Sequence, residues 1–107
     1  MTEKSELEKL RNEIAAVTFE ILDLCRKRIE LARKIAVAKL RMNLPIEDLK
    51  VEKDLKRRVL DFCQKNSMHD DFCIQLFGLL INESKRVQEE AMKSRFREES
   101  SKWRVES

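Results

Sequence analysis

ELEKLRNEIAAVTFEILDLCRKRIELARKIAVAKLRM, from Glu6 to Met42, is one continuous helical pattern with a charge where a core residue belongs. Apolar residues recur at Leu7, Leu10, Ile14, Val17, Ile21 and Leu24, then at Leu31, Ile35, Ala38 and Met42. Spacings of three and four alternate over about five heptads, the period of a helix packed along its whole length against other helices. The stripe is interrupted once, by Arg28, between Leu24 and Leu31. Arg11 and Lys39 each follow a stripe position by one residue (Leu10 and Ala38). Three fixed cations along an apolar seam call for an anion. Arg28 and Lys39 lie about three turns apart on nearly one face, roughly 16 Å along the axis, so both can reach one small molecule. Arg11 and Lys39 are on the order of 42 Å apart on a straight helix and cannot serve one small-ligand site from a single chain. If Arg11 takes part, it comes from a second, antiparallel copy, and the expectation is a dimer with two shared sites.

The remaining sequence is consistent with that. The chain has 107 residues, 40% charged and 42% hydrophobic, with one glycine, one proline and no alternating β-rich segment, which reads as one all-α domain. Two further helices give thin cover for the long one, and self-association would complete it. A net charge of +3 with both signs interspersed argues against nucleic-acid binding. No run of eighteen apolar residues is present, so no membrane span is expected. The N-terminus, Met1 to Ser5, lacks an apolar signal region, so a cytoplasmic protein is expected. Cys25, Cys63 and Cys73 fall within helical patterns and are expected as reduced core residues. There is no metal constellation, no glycine-rich phosphate loop and no nucleophile with a histidine base, so no cofactor is expected.

Ser5 is the expected cap of the first helix, which Asn43-Leu44-Pro45 ends, because a residue preceding proline is pushed out of helical geometry. A second helix starts between Ile46 and Asp48 and ends near Lys65. Its apolar face reads Leu55, Val59 and Phe62, with Cys63 beside them. Continued backwards, that face reaches Glu52 and Asp48. Asn66 to His69 break the pattern. The third helix runs from about Asp71 to Lys93 or beyond, with Phe77, Leu80 and Ile81 inward, followed on the same face by Ser84, Gln88 and Ala91. Beyond Lys93 the sequence is charge-rich, with isolated Phe96 and Trp103. The inward polar set is thus Arg11, Arg28, Lys39, Asp48, Glu52, Ser84 and Gln88. Each alone has a structural explanation, but unpaired buried charges are costly, and seven in register point to a ligand with two carboxylates and a hydroxyl.

Leu10-Arg11-Asn12-Glu13-Ile14, Arg28-Ile29-Glu30-Leu31-Ala32, Ile35-Ala36, Ala38-Lys39, Pro45-Ile46-Glu47-Asp48, Glu52, Phe77, Leu80-Ile81, Glu83-Ser84 and Gln88 together resemble the all-helical class of chorismate mutases. The resemblance covers about residues 5–92. It implies a three-helix chain in an intertwined antiparallel homodimer, residues 1–92 forming the mutase domain and residues 93–107 a charged helical extension or tail. It also implies an isomerase that converts chorismate to prephenate by a Claisen rearrangement, the step that commits the shikimate pathway to phenylalanine and tyrosine. Arg28, and Arg11 from the other chain, would pair with the substrate carboxylates, Lys39 and Gln88 would donate to the ether oxygen, and Lys39 would also help hold a carboxylate. Glu52 and the backbone near Asp48 would hold the ring hydroxyl, Ser84 would support a carboxylate, and Ile35 and Ile81 would wall the site. An arginine often precedes the helix-two glutamate in this class, and here that residue is Val51. The loss of that cation leads to the expectation of a slower free enzyme, or of one whose site a partner orders. A pathway-enzyme partner is therefore an open expectation. Three other readings stay open at this point. They are an isochorismate pyruvate-lyase on a similar scaffold, a non-catalytic module bound to another pathway enzyme, and an antiparallel coiled-coil adaptor with no buried anion pocket.

Overall fold

The structure is a computed structural model that describes the backbone of residues 2–106 and the side chains of residues 2–98. It is all-α, with three helices, α1 (Glu3–Met42), α2 (Leu49–Lys65) and α3 (Asp70–Glu106). Nothing within α1 breaks a helix, since the one proline is Pro45 and the one glycine is Gly78. Glu3 and Glu6 in its first turn and Lys39 and Arg41 in its last complement the helix dipole. The cap position is Thr2, with no side-chain cap bond, so Ser5 is not the cap but lies inside the first turn. Residues 3–5 are compatible with helix, and nothing delays its start to Ser5.

Termination of α1 is set one residue earlier than proline alone requires. Asn43 takes the left-handed conformation (φ 55°, ψ 44°), which asparagine tolerates better than most residues. Its N–H donates to the Leu40 carbonyl (3.2 Å), and the Leu44 N–H donates to the Lys39 carbonyl (2.8 Å), so the open carbonyls of the last turn are used. Asp48 then caps α2, its Oδ1 accepting from the Val51 N–H at 3.2 Å. At the other end of α2 the Asn66 side chain donates to the Phe62 carbonyl (2.8 Å), and Ser67 turns the chain with φ 53°.

The expectation of three reduced cysteines is corrected here. Cys63 and Cys73 form a disulfide (Cα–Cα 6.6 Å) that ties the end of α2 to the start of α3, and Cys25 is free. Each cysteine lies on the inward side of its helix, and the turn at residues 66–69 brings those two sides face to face. Phe62, expected on the inward face of α2, is exposed, because its neighbour Cys63 takes the position facing α3.

α3 packs against both α1 and α2, while α1 and α2 do not pack on each other. Among the described residues the buried ones are few: Ala32, Ala36, Cys63, Cys73, Val87 and Gln88. Small residues on α1 let α3 approach closely at Ala32 and Ala36. The molecule measures 75 × 31 × 16 Å, too thin to enclose a conventional core. Most of the apolar stripe of α1 is uncovered, with Leu7, Leu10, Ile14, Val17, Ile21, Leu24 and Leu31 between 46% and 68% exposed. No helix among the described residues is long and apolar enough to cross a membrane. Trp103 lies outside the residues whose side chains are described.

Candidate active site

Helices α1, α2 and α3 and the loop between α1 and α2 converge on a cavity of about 250 Å³. Ten of its lining residues concern binding chemistry or shape directly. From α1 come Arg28, Ile35 and Lys39. Asp48, Val51 and Glu52 come from the start of α2, and Ile81, Ser84, Lys85 and Gln88 from α3. Ile46 and Leu55 complete the wall. Nine of the ten site residues expected from sequence are therefore brought together. Arg11 is the exception: it is exposed on the free N-terminal part of α1, roughly 25 Å along the axis from Arg28. Val51 presents no charge, so the cavity holds no cation at that position.

The two α1 cations are held by neutral acceptors. Arg28 Nη1 donates to the Leu80 carbonyl (2.9 Å) and to Ser84 Oγ (2.5 Å). Lys39 Nζ donates to the Ile46 carbonyl (2.5 Å) and to Gln88 Oε1 (3.0 Å). Neither is in an ion pair among the described residues, although both make part-buried hydrogen bonds. Arg26, Arg57 and Arg86, by contrast, are matched by carboxylates three or four residues away on their own exposed helix faces. Such surface pairs add little stability and leave no charge unmet. Arg28 and Lys39 thus present two uncompensated positive charges to one cavity, with their positions fixed by hydrogen bonds. With Nη1 committed to two acceptors, the Nε and Nη2 edge of Arg28 is the fork suited to a carboxylate.

Gln88 is 7% exposed, and its oxygen is taken by Lys39, which leaves the amide NH₂ as the group able to donate. Every fully buried side-chain nitrogen or oxygen among the described residues has a partner, so the donors left open, the Arg28 edge and the Gln88 NH₂, are ones that reach the cavity. On the α2 side, Asp48 serves as both helix cap and cavity wall. Glu52 pairs with Lys85 (2.8 Å), which also reaches Glu47 (3.1 Å). Hydrogen bonds, first to Glu52 and then to Glu47, hold the Lys85 ammonium above the ordinary lysine value, so it is charged throughout the neutral range. Lys85 was not among the residues expected from sequence. Its charge sits on a helix rich in charged residues, and Lys56, four residues after Glu52, offers that acid a plausible local partner.

A larger groove, about 640 Å³, runs between α1 and the later part of α3 along Arg33, Val37, Val87, Glu90 and Ala91. It is broad, its charges are of both signs and they are exposed, so it concentrates no field. The smaller cavity is the one with directed, uncompensated charge.

Residues 10–89 match the family chorismate mutase type II. The chain is 33% identical over 92 residues to a bifunctional chorismate mutase/prephenate dehydratase of Buchnera aphidicola, covering 86% of this chain and 24% of that protein. It is 32% identical over 92 residues to a 4-amino-4-deoxychorismate mutase of Streptomyces venezuelae, covering 86% of this chain and 89% of that one. A chorismate mutase of Methanocaldococcus jannaschii is 29% identical over 85 residues, 79% of this chain and 86% of its own length. The chain therefore spans about a quarter of the bifunctional relative and most of the two single-function ones. By the extent of the family match and these relatives, the chain belongs to the chorismate mutase type II family.

Proposed function

We propose that this protein converts chorismate to prephenate, and that it does so as an antiparallel homodimer in which each cavity is completed by Arg11 of the other chain. The reading rests above all on Arg28 and Lys39, two partly shielded cations with no carboxylate partner on one small cavity. A diacid supplies the charges they lack.

The reaction is intramolecular. The ether C–O bond breaks as a new C–C bond forms, with no proton transferred and no bond made to the protein. Side chains need only hold the compact conformer and favour the charge that develops on the ether oxygen. The free edge of Arg28 takes one carboxylate, and Arg11 of the second chain takes the other. Lys39 and the Gln88 NH₂ donate toward the ether oxygen from adjacent positions, already linked to each other at 3.0 Å. Glu52 and the backbone near Asp48 hold the ring hydroxyl, and Ser84 steadies Arg28 and a carboxylate. Ile35 and Ile81 press the ring into the folded shape and keep water out.

The dimer is supported by the uncovered stripe of α1. Fully covering each such side chain contributes roughly 1.5–3 kcal/mol, and seven of them lie along one face. A second copy supplies the same face in return, as a two-fold interface requires.

The Streptomyces venezuelae relative, matched over nearly its whole length, favours a second substrate in which an amine replaces the 4-hydroxyl. The two substrates differ at the substituent that faces Glu52 in this reading. The test is loss of chorismate absorbance with purified protein, identification of the product, and the mass in solution. Prephenate from a dimer is expected. A protein that turns over neither substrate, or that is a monomer with full activity, refutes the proposal.

A further inference from the structure

All but two of the ion pairs among the described residues join residues three or four apart on one helix. The two that cross between elements both belong to Lys85, which reaches from α3 to Glu52 on α2 and to Glu47 in the preceding loop. Lys85 and Glu52 are also the more shielded partners, 28% and 24% exposed against 60% for Glu47. Both line the cavity, and Glu47 does not.

The cavity is therefore lined by two acids, Asp48 and Glu52, and Lys85 is the cation paired with Glu52. Asp48 has one oxygen committed to the Val51 N–H as a helix cap. Glu52 lines the cavity and has Oε1 committed to Lys85, which leaves Oε2 as the oxygen able to accept from a ligand. Lys85 is shared with Glu47, so it answers the charge of Glu52 in part, and it leaves the second oxygen of Glu52 as a hydrogen-bond acceptor beside a fixed cation. An acceptor of that kind suits a neutral donor such as a hydroxyl. A cationic substituent placed at the same point would bond to Glu52 but would also meet the Lys85 ammonium a few ångströms away.

We propose that Lys85 is a positioning and specificity-determining residue, which holds Glu52 in place and sets the cavity to accept a neutral hydroxyl rather than an ammonium at the ring position Glu52 faces. This rests on the reading of the site given above. The 4-amino analogue carries that ammonium at neutral pH and otherwise keeps the two carboxylates and the ether, so it isolates the effect.

The experiment compares kcat/KM for chorismate and for 4-amino-4-deoxychorismate in the unaltered protein and in Lys85→Met and Lys85→Arg. The unaltered protein is expected to favour chorismate. Lys85→Met is expected to shift the ratio toward the amine by roughly tenfold, the effect of removing one like charge a few ångströms from the ammonium in a partly screened site. Lys85→Arg, which keeps the charge, is expected to keep the ratio. Helical content by circular dichroism shows whether each variant is folded, and Lys85→Gln replaces Lys85→Met if the latter is not. Equal losses on both substrates, or a shift toward chorismate, overturn the proposal, because a merely structural ion pair would move both rates together. A protein that prefers the amine before any substitution also overturns it. Loss of turnover on both substrates by the unaltered protein instead refutes the functional reading itself.

Discussion

Replacing Arg28 with leucine separates ligand binding from folding in one variant. In the free protein Arg28 Nη1 bonds to Ser84 Oγ and to the Leu80 carbonyl. That carbonyl lies inside α3, where it also accepts from the amide four residues on, so removing Arg28 orphans no backbone group. The cation has no carboxylate partner, and leucine keeps the packing of its stem. Stability of the free protein is therefore expected to change by no more than about 1 kcal/mol. The ligand-bound state loses far more. Two charge-assisted contacts from the Nε and Nη2 edge, at about 1.5–3 kcal/mol each, sum to about 3–6 kcal/mol. That is roughly 10² to 10⁴ in kcat/KM. The assay is loss of chorismate absorbance, with urea unfolding of the same preparation. A variant within threefold of the original kcat/KM, or one whose lost activity is matched by a stability loss of several kcal/mol, would refute the reasoning.

Val51→Arg adds a cation at the cavity wall beside Glu52, and one further charge-assisted contact is expected to raise kcat/KM by tenfold to a hundredfold; no gain would mean that the missing arginine is not what limits the free enzyme. Gln88 donates at any pH, so kcat/KM is expected to be flat from about pH 6 to 8, whereas Gln88→Glu should require acid, because a carboxyl donates only when protonated. The shifted groups do not disturb that window. Asp23 and Glu83, held below their ordinary values chiefly by hydrogen bonds to Arg26 and Arg86, contribute stability above the unfolded carboxylate pKa that is lost as pH falls through the lowered one. Lys85, raised by Glu52, contributes below the unfolded lysine pKa and loses it as pH rises through the raised one. A rate that climbs steeply below pH 6 in the unaltered protein would contradict the role given to Gln88. Reduction of Cys63–Cys73, which closes a loop of 10 residues, is expected to lower stability by about 2.7 kcal/mol on the chain-entropy estimate; unchanged unfolding midpoints with and without reductant would contradict it.

The site was legible in the sequence because it violates a period. Arg28 occupies a stripe position, and Ser84 and Gln88 continue an apolar face, so each stood out against a regular background. The helix boundaries were legible from single residues, Asn43 and Pro45 at one end and Asp48 at the next start. Lys85 breaks no period, and its link to Glu52 spans two helices, which spacing along one helix does not encode. Cys63 and Cys73 could each be expected in the core, but their meeting depends on the turn through Ser67, whose left-handed conformation has no glycine or asparagine at that position to announce it. For Arg11, distance showed only that its own chain keeps it too far from Lys39 to share a site, and its role as a carboxylate partner came from the family resemblance.

Shared sites are tested most directly by mixing two inactive chains. Arg11→Ala and Arg28→Leu are each expected to abolish activity as homodimers, since every site lacks one arginine. Co-expressed, they form mixed dimers in which one site keeps Arg28 from one chain and Arg11 from the other, while the second site lacks both. With random pairing about half the dimers are mixed and half their sites intact, so about a quarter of the original activity should return. A mixture no more active than the average of its two parents would contradict a site built from both chains.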